Sequence, residues 1–541
     1  MLTERWYKEA IVYCLDVDTF QDSNSDGVGD FGGLTSRLPY LQGLGVTCVW
    51  LLPFYPSPNR DNGYDISDYY NVDPRYGSLG DFVEFAQAAR DRGIRVIVDL
   101  VVNHTSDQHP WFQAARNDPD SLYYGFYVWS QEKPADAHEG MVFPGQQHSV
   151  WTYDRKAGAW YFHRFYKHQP ELNIANPLVR REIAKIMKFW LELGVSGFRI
   201  DAAPFLIEHR GIQQTDLPDP YEYIAAMNEL IAWNSGDAML LAEANVDIHE
   251  VAQFFGKGDR MHMLFNFIAN QYLYLALARQ EAEPLMRAFK MLPQISEHCQ
   301  WANFVRNHDE LALERLTKHE QADVRQAFAI TDDMWLYERG PRRRLPPLLD
   351  GNFQRIKMVY SLLFSLPGTP VLRYGEEIGM GDDLSLNERQ SVRTPMQWSD
   401  DMNGGFSRAS MDKLVLPVID EGHYSYQRVN VAAQQRDRDS LFSTIERLIR
   451  ARKCSGVFGH GELTVIDGGE PAVFIHSVRM GAQQVLVLHN FAATKRSLTL
   501  TLPGVCRLTD MLGEEPPIEL TGDTLTVALE GYGYGWYTCH E

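Results

Sequence analysis

No run of apolar residues in this chain approaches the roughly 18 needed for a bilayer-spanning helix, which excludes a helical membrane protein. Positive charge is also short: 51 Lys and Arg stand against 71 Asp and Glu, a formal net charge of −20. A surface of that sign repels nucleic acid and anionic membranes and leaves small neutral molecules as the expected partners. Cysteine is scarce, with six residues and no CxxC pair or zinc-ligand spacing, so reduced and mostly buried thiols are expected rather than a disulfide framework. No GxGxxG or GxxxxGKS/T follows a strand-like run, and no organic cofactor is implied. Internal repeats and low-complexity tracts are absent too. The first six residues have no signal-peptide character, so a cytoplasmic location is expected.

What is present suits a soluble, multidomain protein: 541 residues, 45% hydrophobic and 23% charged. Strand-like segments at 10–17, 47–52 and 95–102 alternate with helix-like ones at 33–44 and 79–92. Val96-Ile-Val-Asp-Leu-Val-Val102 is too uniformly apolar for a sheet covered on one face and fits a parallel strand buried on both. The alternation stops between 104 and 173, a stretch crowded with aromatics and too long for a plain loop, so it reads as an inserted subdomain whose aromatics are mostly its own core. It resumes with a helix at 177–193 and strands ending at 201, 242, 305 and 374. Close to eight strands with helices between them predict a (β/α)8 TIM barrel. The helix 440–453 should close it, and short alternating segments beyond 456 predict a C-terminal antiparallel β-sandwich. The expected boundaries are barrel at 1–103 and 174–455, subdomain at 104–173 and sandwich at 456–541.

Gly197-Phe-Arg-Ile-Asp201 holds the most unusual feature. In a strand, Arg199 and Asp201 share one face, so a carboxylate and a guanidinium are aimed together into the barrel. That pair is either a structural ion pair or an ionised nucleophile held ready. Other strand ends are polar as well: Tyr64 and Asp65, Asn103 and His104, Glu243, and Asn307-His308-Asp309. Active-site residues of such barrels lie at this rim, and three carboxylates with histidines among them exceed what ion pairing needs.

Asp99-Leu-Val-Val-Asn-His104, Gly197-Phe-Arg-Ile-Asp201, Glu243 and Asn307-His-Asp309, taken in order, resemble the regions that define glycoside hydrolase family 13, the α-amylase family. The resemblance implies a nucleophile at Asp201, a general acid/base at Glu243 and a transition-state stabiliser at Asp309. It implies that Tyr64, Asp65, His104, Arg199 and His308 hold the innermost glucosyl unit. A retaining glycosidase needs one ionised and one protonated carboxyl group, and Arg199 and the Asp201–Glu243 proximity would supply them.

Further segments, among them Leu51-Leu-Pro-Phe-Tyr-Pro-Ser-Pro, His168-Gln-Pro-Glu-Leu-Asn and Arg393-Thr-Pro-Met-Gln-Trp, are similar to the branch that interconverts maltose and trehalose. That implies a short disaccharide substrate, with Arg393 gripping its non-reducing glucose. Cys14, Asp16 and Asp18 depart from this branch's Gln, His and Arg; Gln390-Ser391 departs from Asp-Gly, Glu171 from Asp, and Arg373 from Tyr.

Asp22, Asn24, Asp26, Val28 and Asp30 alternate around a turn at Gly27, as in a loop that wraps a hard cation, Ca2+ or Mg2+; the alternative is an Asx-rich turn without metal. The family pattern implies a second Ca2+ site at Asn103, Glu171 and Glu208. The expected function is thus a retaining α-glucosyl enzyme that isomerises a disaccharide. The alternatives are an α-glucosidase or transglucosylase, and a non-catalytic barrel that binds sugar or a partner chain. The oligomeric state is left open, a homodimer among the options.

Overall fold

The computed structural model describes residues 5–208, 210–212, 219–513, 516–520 and 522–540. Residues 1–4, part of the stretch read above for a signal peptide, lie outside them. Three buried parallel strands come first: β1 (Val12–Leu15), β2 (Cys48–Leu51) and β3 (Arg95–Leu100). A small antiparallel sheet interrupts the series, formed by β4 (Trp129–Ser130), β5 (Trp151–Asp154) and β6 (Ala159–Phe162). The parallel series continues with β7 (Gly197–Ile200), β8 (Met239–Ala242), β9 (Met263–Phe265) and β10 (Gln300–Phe304). After a two-residue-per-arm hairpin, β11 (Trp335–Leu336) with β12 (Gly340–Pro341), β13 (Thr369–Arg373) ends it. Strands β1, β2, β3, β7, β8, β9, β10 and β13 close into one barrel, with β13 pairing back onto β1. The expected eight-stranded barrel is found; β9, only three residues long, is the strand that no periodic pattern marks.

Alternation along each strand decides what fills the barrel. Val12, Cys48, Trp50, Ile97, Met239, Leu241, Met263, Phe265, Ala302, Phe304 and Val371 form one interior cluster. Their neighbours Val49, Leu51, Val96, Val98, Phe198, Ile200, Leu240 and Leu372 face outward into the helix layer. That double coverage explains the continuous apolar runs. The helices begin where local chemistry dictates: Ser78 and Asp81 form a capping box at the start of Leu79–Arg90, and Asn176 caps Pro177–Glu192 with Pro at the first turn. The expected helix at 33–44 is two, Phe31–Ser36 and Leu38–Leu44, broken where Pro39 cannot continue the hydrogen-bond ladder.

Trp151 and Phe162 of the insertion form a small core of their own with Val128 and Val150, whereas Phe112, stacked on Trp129 and packed against Tyr127 and Tyr161, is continuous with the outer core of the barrel. Phe143 and Phe165 instead reach the barrel mouth.

The C-terminal part comprises β14 (Glu462–Ile466), β15 (Val473–Met480), β16 (Gln483–Asn490), β17 (Arg496–Thr501), β18 (Arg507–Asp510), β19 (Ile518–Glu519), β20 (Thr524–Leu529) and β21 (Tyr534–His540). A six-stranded sheet in the order β14-β15-β16-β21-β18-β19 faces the two-stranded β17-β20 across a shared core of Ile475, Leu488, Leu498, Leu500, Leu525 and Val527. The other side of the large sheet lies on the barrel helix Phe353–Ser365. There His489 contacts Ser361 Oγ at 3.0 Å, His476 contacts the Ser365 carbonyl at 3.1 Å, and the two imidazoles stack at 6.2 Å.

Candidate active site

Asp99 on β3 and Arg199 on β7 are paired in register, so both point inward in the top layer of the barrel. Arg199 donates to three carboxylates: Asp99 at 2.7 Å, Asp201 at 2.5 Å and Glu243 at 2.7 Å. Asp201 follows the end of β7, and the chain then turns through a left-handed Ala202 (φ 45°) whose N–H donates to Glu243 Oε2 at 3.3 Å. One turn thus ties the two carboxylates together. Burial pushes both Asp201 and Glu243 above the usual carboxylate range against the opposing pull of Arg199, and for Glu243 the Asp201 and Asp309 charges add to the rise. The expected lowering of Asp201 by Arg199 is outweighed by burial, with the Asp309 charge adding to the rise. Asp99, fully enclosed, is pushed up to about 7 by burial.

Asp309 behaves in the opposite way. Burial works against its charge, but Arg389, His308 and Arg393 together hold it well below the usual range. Arg393 reaches its Oδ1 at 2.9 Å and Arg389 at 3.1 Å. Tyr64 stacks on His308 and bonds its Nε2 at 2.8 Å while donating to Asp99 at 3.2 Å. His104 contacts the Tyr64 carbonyl at 3.0 Å and is lowered to about 4 by burial, which keeps it neutral.

Asp201, Glu243, Asp309, Tyr64 and His104 line one cavity of about 300 Å³, at the small end of the range for ligand pockets. Of the residues expected to hold the sugar, Arg199, His308, Asp65 and Arg393 are not in that wall, the first two lying buried against the carboxylates. Asp65 is not in the cavity wall: it is wholly buried and accepts from Ser57 Oγ and from the backbone N–H groups of Arg60 and Asp61, so it shapes the loop. Asp61 takes its place in the wall, anchored by Gln169 Nε2 at 2.8 Å and pushed up to about 7 by burial. Arg393 likewise lies behind the wall, donating to the His308 carbonyl and to Asp309, while Arg389 is the arginine at the surface. Arg389 also binds Glu310 at 2.7 Å and lies over the rings of Phe143 and Tyr337, joining the barrel, the insertion and the β11–β12 hairpin above the pocket. Parity along β3 was the signal for Asp99, two residues beyond inward-facing Ile97; nothing comparable distinguishes Asp61 from Asp65 or Arg389 from Arg393.

The loop of Asp22, Asn24, Asp26, Val28 and Asp30 folds as a tight turn. Gly27 has φ 97°, and a Cβ there would meet the Lys413 carbonyl at 2.2 Å. Asp22, Asn24 and Asp26 each give one oxygen to the amide two residues on, and Asp30 caps the helix Phe31–Ser36. Asn24 and Asp26 are exposed, but both oxygens of Asp22 and of Asp30 already accept from N–H and hydroxyl groups, and no three acidic or histidine side chains converge among the described residues, so the loop fits a hard cation only in part. Asn103, Glu171 and Glu208 do come together, but around Arg164, which takes Glu171 Oε1 at 3.1 Å and Glu208 Oε2 at 2.7 Å. Asn103 Nδ2 lies 3.4 Å from Glu171 Oε2. This set fits a cation only in part, since a guanidinium already neutralises it.

A family model described as the α-amylase catalytic domain matches residues 15–461. The trehalose synthase/amylase TreS of Mycolicibacterium smegmatis is 39% identical over 99% of this chain and 93% of its own length. A trehalose synthase of Thermus thermophilus is 43% identical over 92% of this chain and 51% of its own. Among solved structures, an inactive double mutant of MutB in complex with isomaltulose superposes with a TM-score of 0.79 at 27% identity, covering 99% of each chain.

Proposed function

The chain belongs to the α-amylase family, and on that premise we propose that it is a retaining α-glucosyl enzyme that isomerises maltose and trehalose by intramolecular glucosyl transfer. The observation that carries the reading is the Arg199 cluster, in which Asp201 and Glu243 share one guanidinium at the wall of a pocket faced by Asp309. Asp201 attacks the anomeric carbon of the non-reducing glucose and forms a glycosyl ester, while the Glu243 carboxyl gives its proton to the departing glycosidic oxygen. Asp309, held ionised, faces the positive charge that develops on the ring. The freed glucose turns and attacks the anomeric carbon of the glycosyl ester through its own anomeric hydroxyl, displacing the Asp201 carboxylate. That proton returns to Glu243, Asp201 is released, and trehalose results. Retention of the loose glucose and exclusion of water fall to the wall formed by Phe143, Phe165 and Arg389.

Incubation with maltose, and separately with trehalose and sucrose, followed by chromatography tests the reading: trehalose from maltose, and maltose from trehalose, should exceed free glucose. Mostly glucose would replace isomerisation by α-glucosidase or transglucosylase action through the same trio. Asp201→Ala should lower every turnover by at least about three orders of magnitude; surviving activity would refute the mechanism itself. A Ca2+ or Mg2+ ion in the Asp22–Asp30 loop belongs to the same proposal as a structural element, as does a cytoplasmic setting.

A further inference from the structure

The helices Pro177–Glu192 and Glu222–Asn234 lead into β7 and β8, the strands that end at Asp201 and Glu243. They pack side by side and run the same way, since each feeds a strand of one parallel barrel. Between them opens a cleft of about 140 Å³, lined chiefly by Ile183, Ala184, Met187, Tyr223, Met227 and Leu230. At about 100° per residue, Glu222, Ala226, Glu229 and Trp233 form one outward row along the second helix, and all four are exposed. Trp233 is 82% exposed, more than any other large hydrophobic side chain among the described residues. The first helix carries an outward row of opposite sign: Arg181 and Lys188 are exposed, and the partly buried Leu191 follows one turn on. Each row thus sets its two charges seven residues apart, two helical turns, with an apolar side chain beyond.

We propose that this helix pair is the docking surface for a second copy of the chain. A two-fold axis parallel to the helices lays the acidic row of each copy on the basic row of the other. Glu222 then meets Arg181 of the partner subunit, Glu229 meets Lys188 of the partner subunit, and Trp233 comes down on Leu191 of the partner subunit at the end of the cleft. Every contact is made twice, as a self-complementary interface requires, and two exposed indoles leave water. An axis across the helices would set each row on its own like charges, which repel. The face is small, about 20 Å of helix by about 20 Å for two helices, or about 400 Å² per copy. That is the size of a transient interface, so the dimer is reversible, with a Kd of micromolar order. Trp233 lies at the helix end that enters β8, on the opposite side of the barrel from the sugar pocket, so both pockets stay open. The interface is independent of which glucosyl acceptor the enzyme uses.

Sedimentation equilibrium of the full chain, from about 1 to about 300 µM, tests it: a reversible monomer–dimer equilibrium is expected. Trp233→Ser should weaken the dimer by about tenfold or more. Lys188→Glu and Glu229→Lys should each weaken it as well, because each puts like charges face to face twice. The double variant carrying both changes should recover association to within about threefold of the parent, since every pair is again of opposite sign. All of these side chains lie on the surface, and kcat per chain on whichever α-glucoside is turned over should be unchanged in each variant. A chain that stays monomeric over the whole range would overturn the proposal and leave the cleft to a different ligand. A dimer indifferent to Trp233→Ser and to both charge reversals would overturn it too, by placing the interface elsewhere.

Discussion

At the scale of single residues, Arg199 does more than hold one carboxylate: it is the shared partner of Asp99, Asp201 and Glu243. The alternation rule made the Arg199–Asp201 pairing legible in the sequence, since side chains two apart share a strand face. Other assignments depended on loops, whose geometry no period encodes. Asp61 and Asp65 differ by four residues, and either could have faced the sugar; only the fold shows that Asp65 is used up on the amides of Arg60 and Asp61. The pair makes a sharp comparison. Asp61→Ala should reduce kcat/KM by about a hundredfold with little change in melting temperature, because it removes a pocket wall group. Asp65→Ala should lower the melting temperature as well, because it leaves buried amides unpaired. Steady-state kinetics and thermal melts on both variants would check this, and identical profiles would refute the division.

At the scale of elements, β7 is set by its first residue as much as by its last. Gly197 has φ 153°, and a Cβ there would meet the Met239 carbonyl of β8 at 2.3 Å and its amide nitrogen at 2.9 Å. Gly197→Ala should therefore destabilise by about 2 kcal/mol or more, read from denaturant unfolding, although no catalytic group is touched. The sequence showed this glycine at the head of the motif but not the approach of β8 that demands it. The insertion was legible as an element because aromatics accumulate where the βα alternation stops; that Phe143 and Phe165 leave its core for the pocket was not. For the loop at Asp22–Asp30, removal of metal with EDTA should lower the melting temperature by several degrees, and added Ca2+ should restore it. Protein free of bound metal with an unchanged melting temperature would leave the loop as an Asx-rich turn.

At the scale of the whole molecule, the barrel and the C-terminal sheet were readable from the change of period near residue 456, and the short β9 was not, because three residues carry no pattern. How the two parts meet was also hidden. His476 and His489 sit buried on the helix Phe353–Ser365, and burial lowers His476 to about 4 and His489 well below its ordinary value. In the unfolded chain each would take up a proton near about 6.5. The unfolded state thus binds more protons between about 4 and 6.5, and stability should fall as pH is lowered through that window and be fully present above it. Melting curves from pH 7 to 4.5 would show the fall, and His489→Gln should flatten it; an unchanged slope would remove these histidines as its source. The order of the large sheet carries one more consequence. Strand β21 pairs with β16 on one side and β18 on the other, yet it follows both in the chain. During synthesis the N-terminal barrel can fold as its segments emerge, but β14 to β16 and β18 with β19 remain two separate pieces until residue 540 has left the ribosome. The joint between sheet and barrel is therefore completed late, only after β21 has emerged, and a chain cut before β21 would leave the helix Phe353–Ser365 only partly covered.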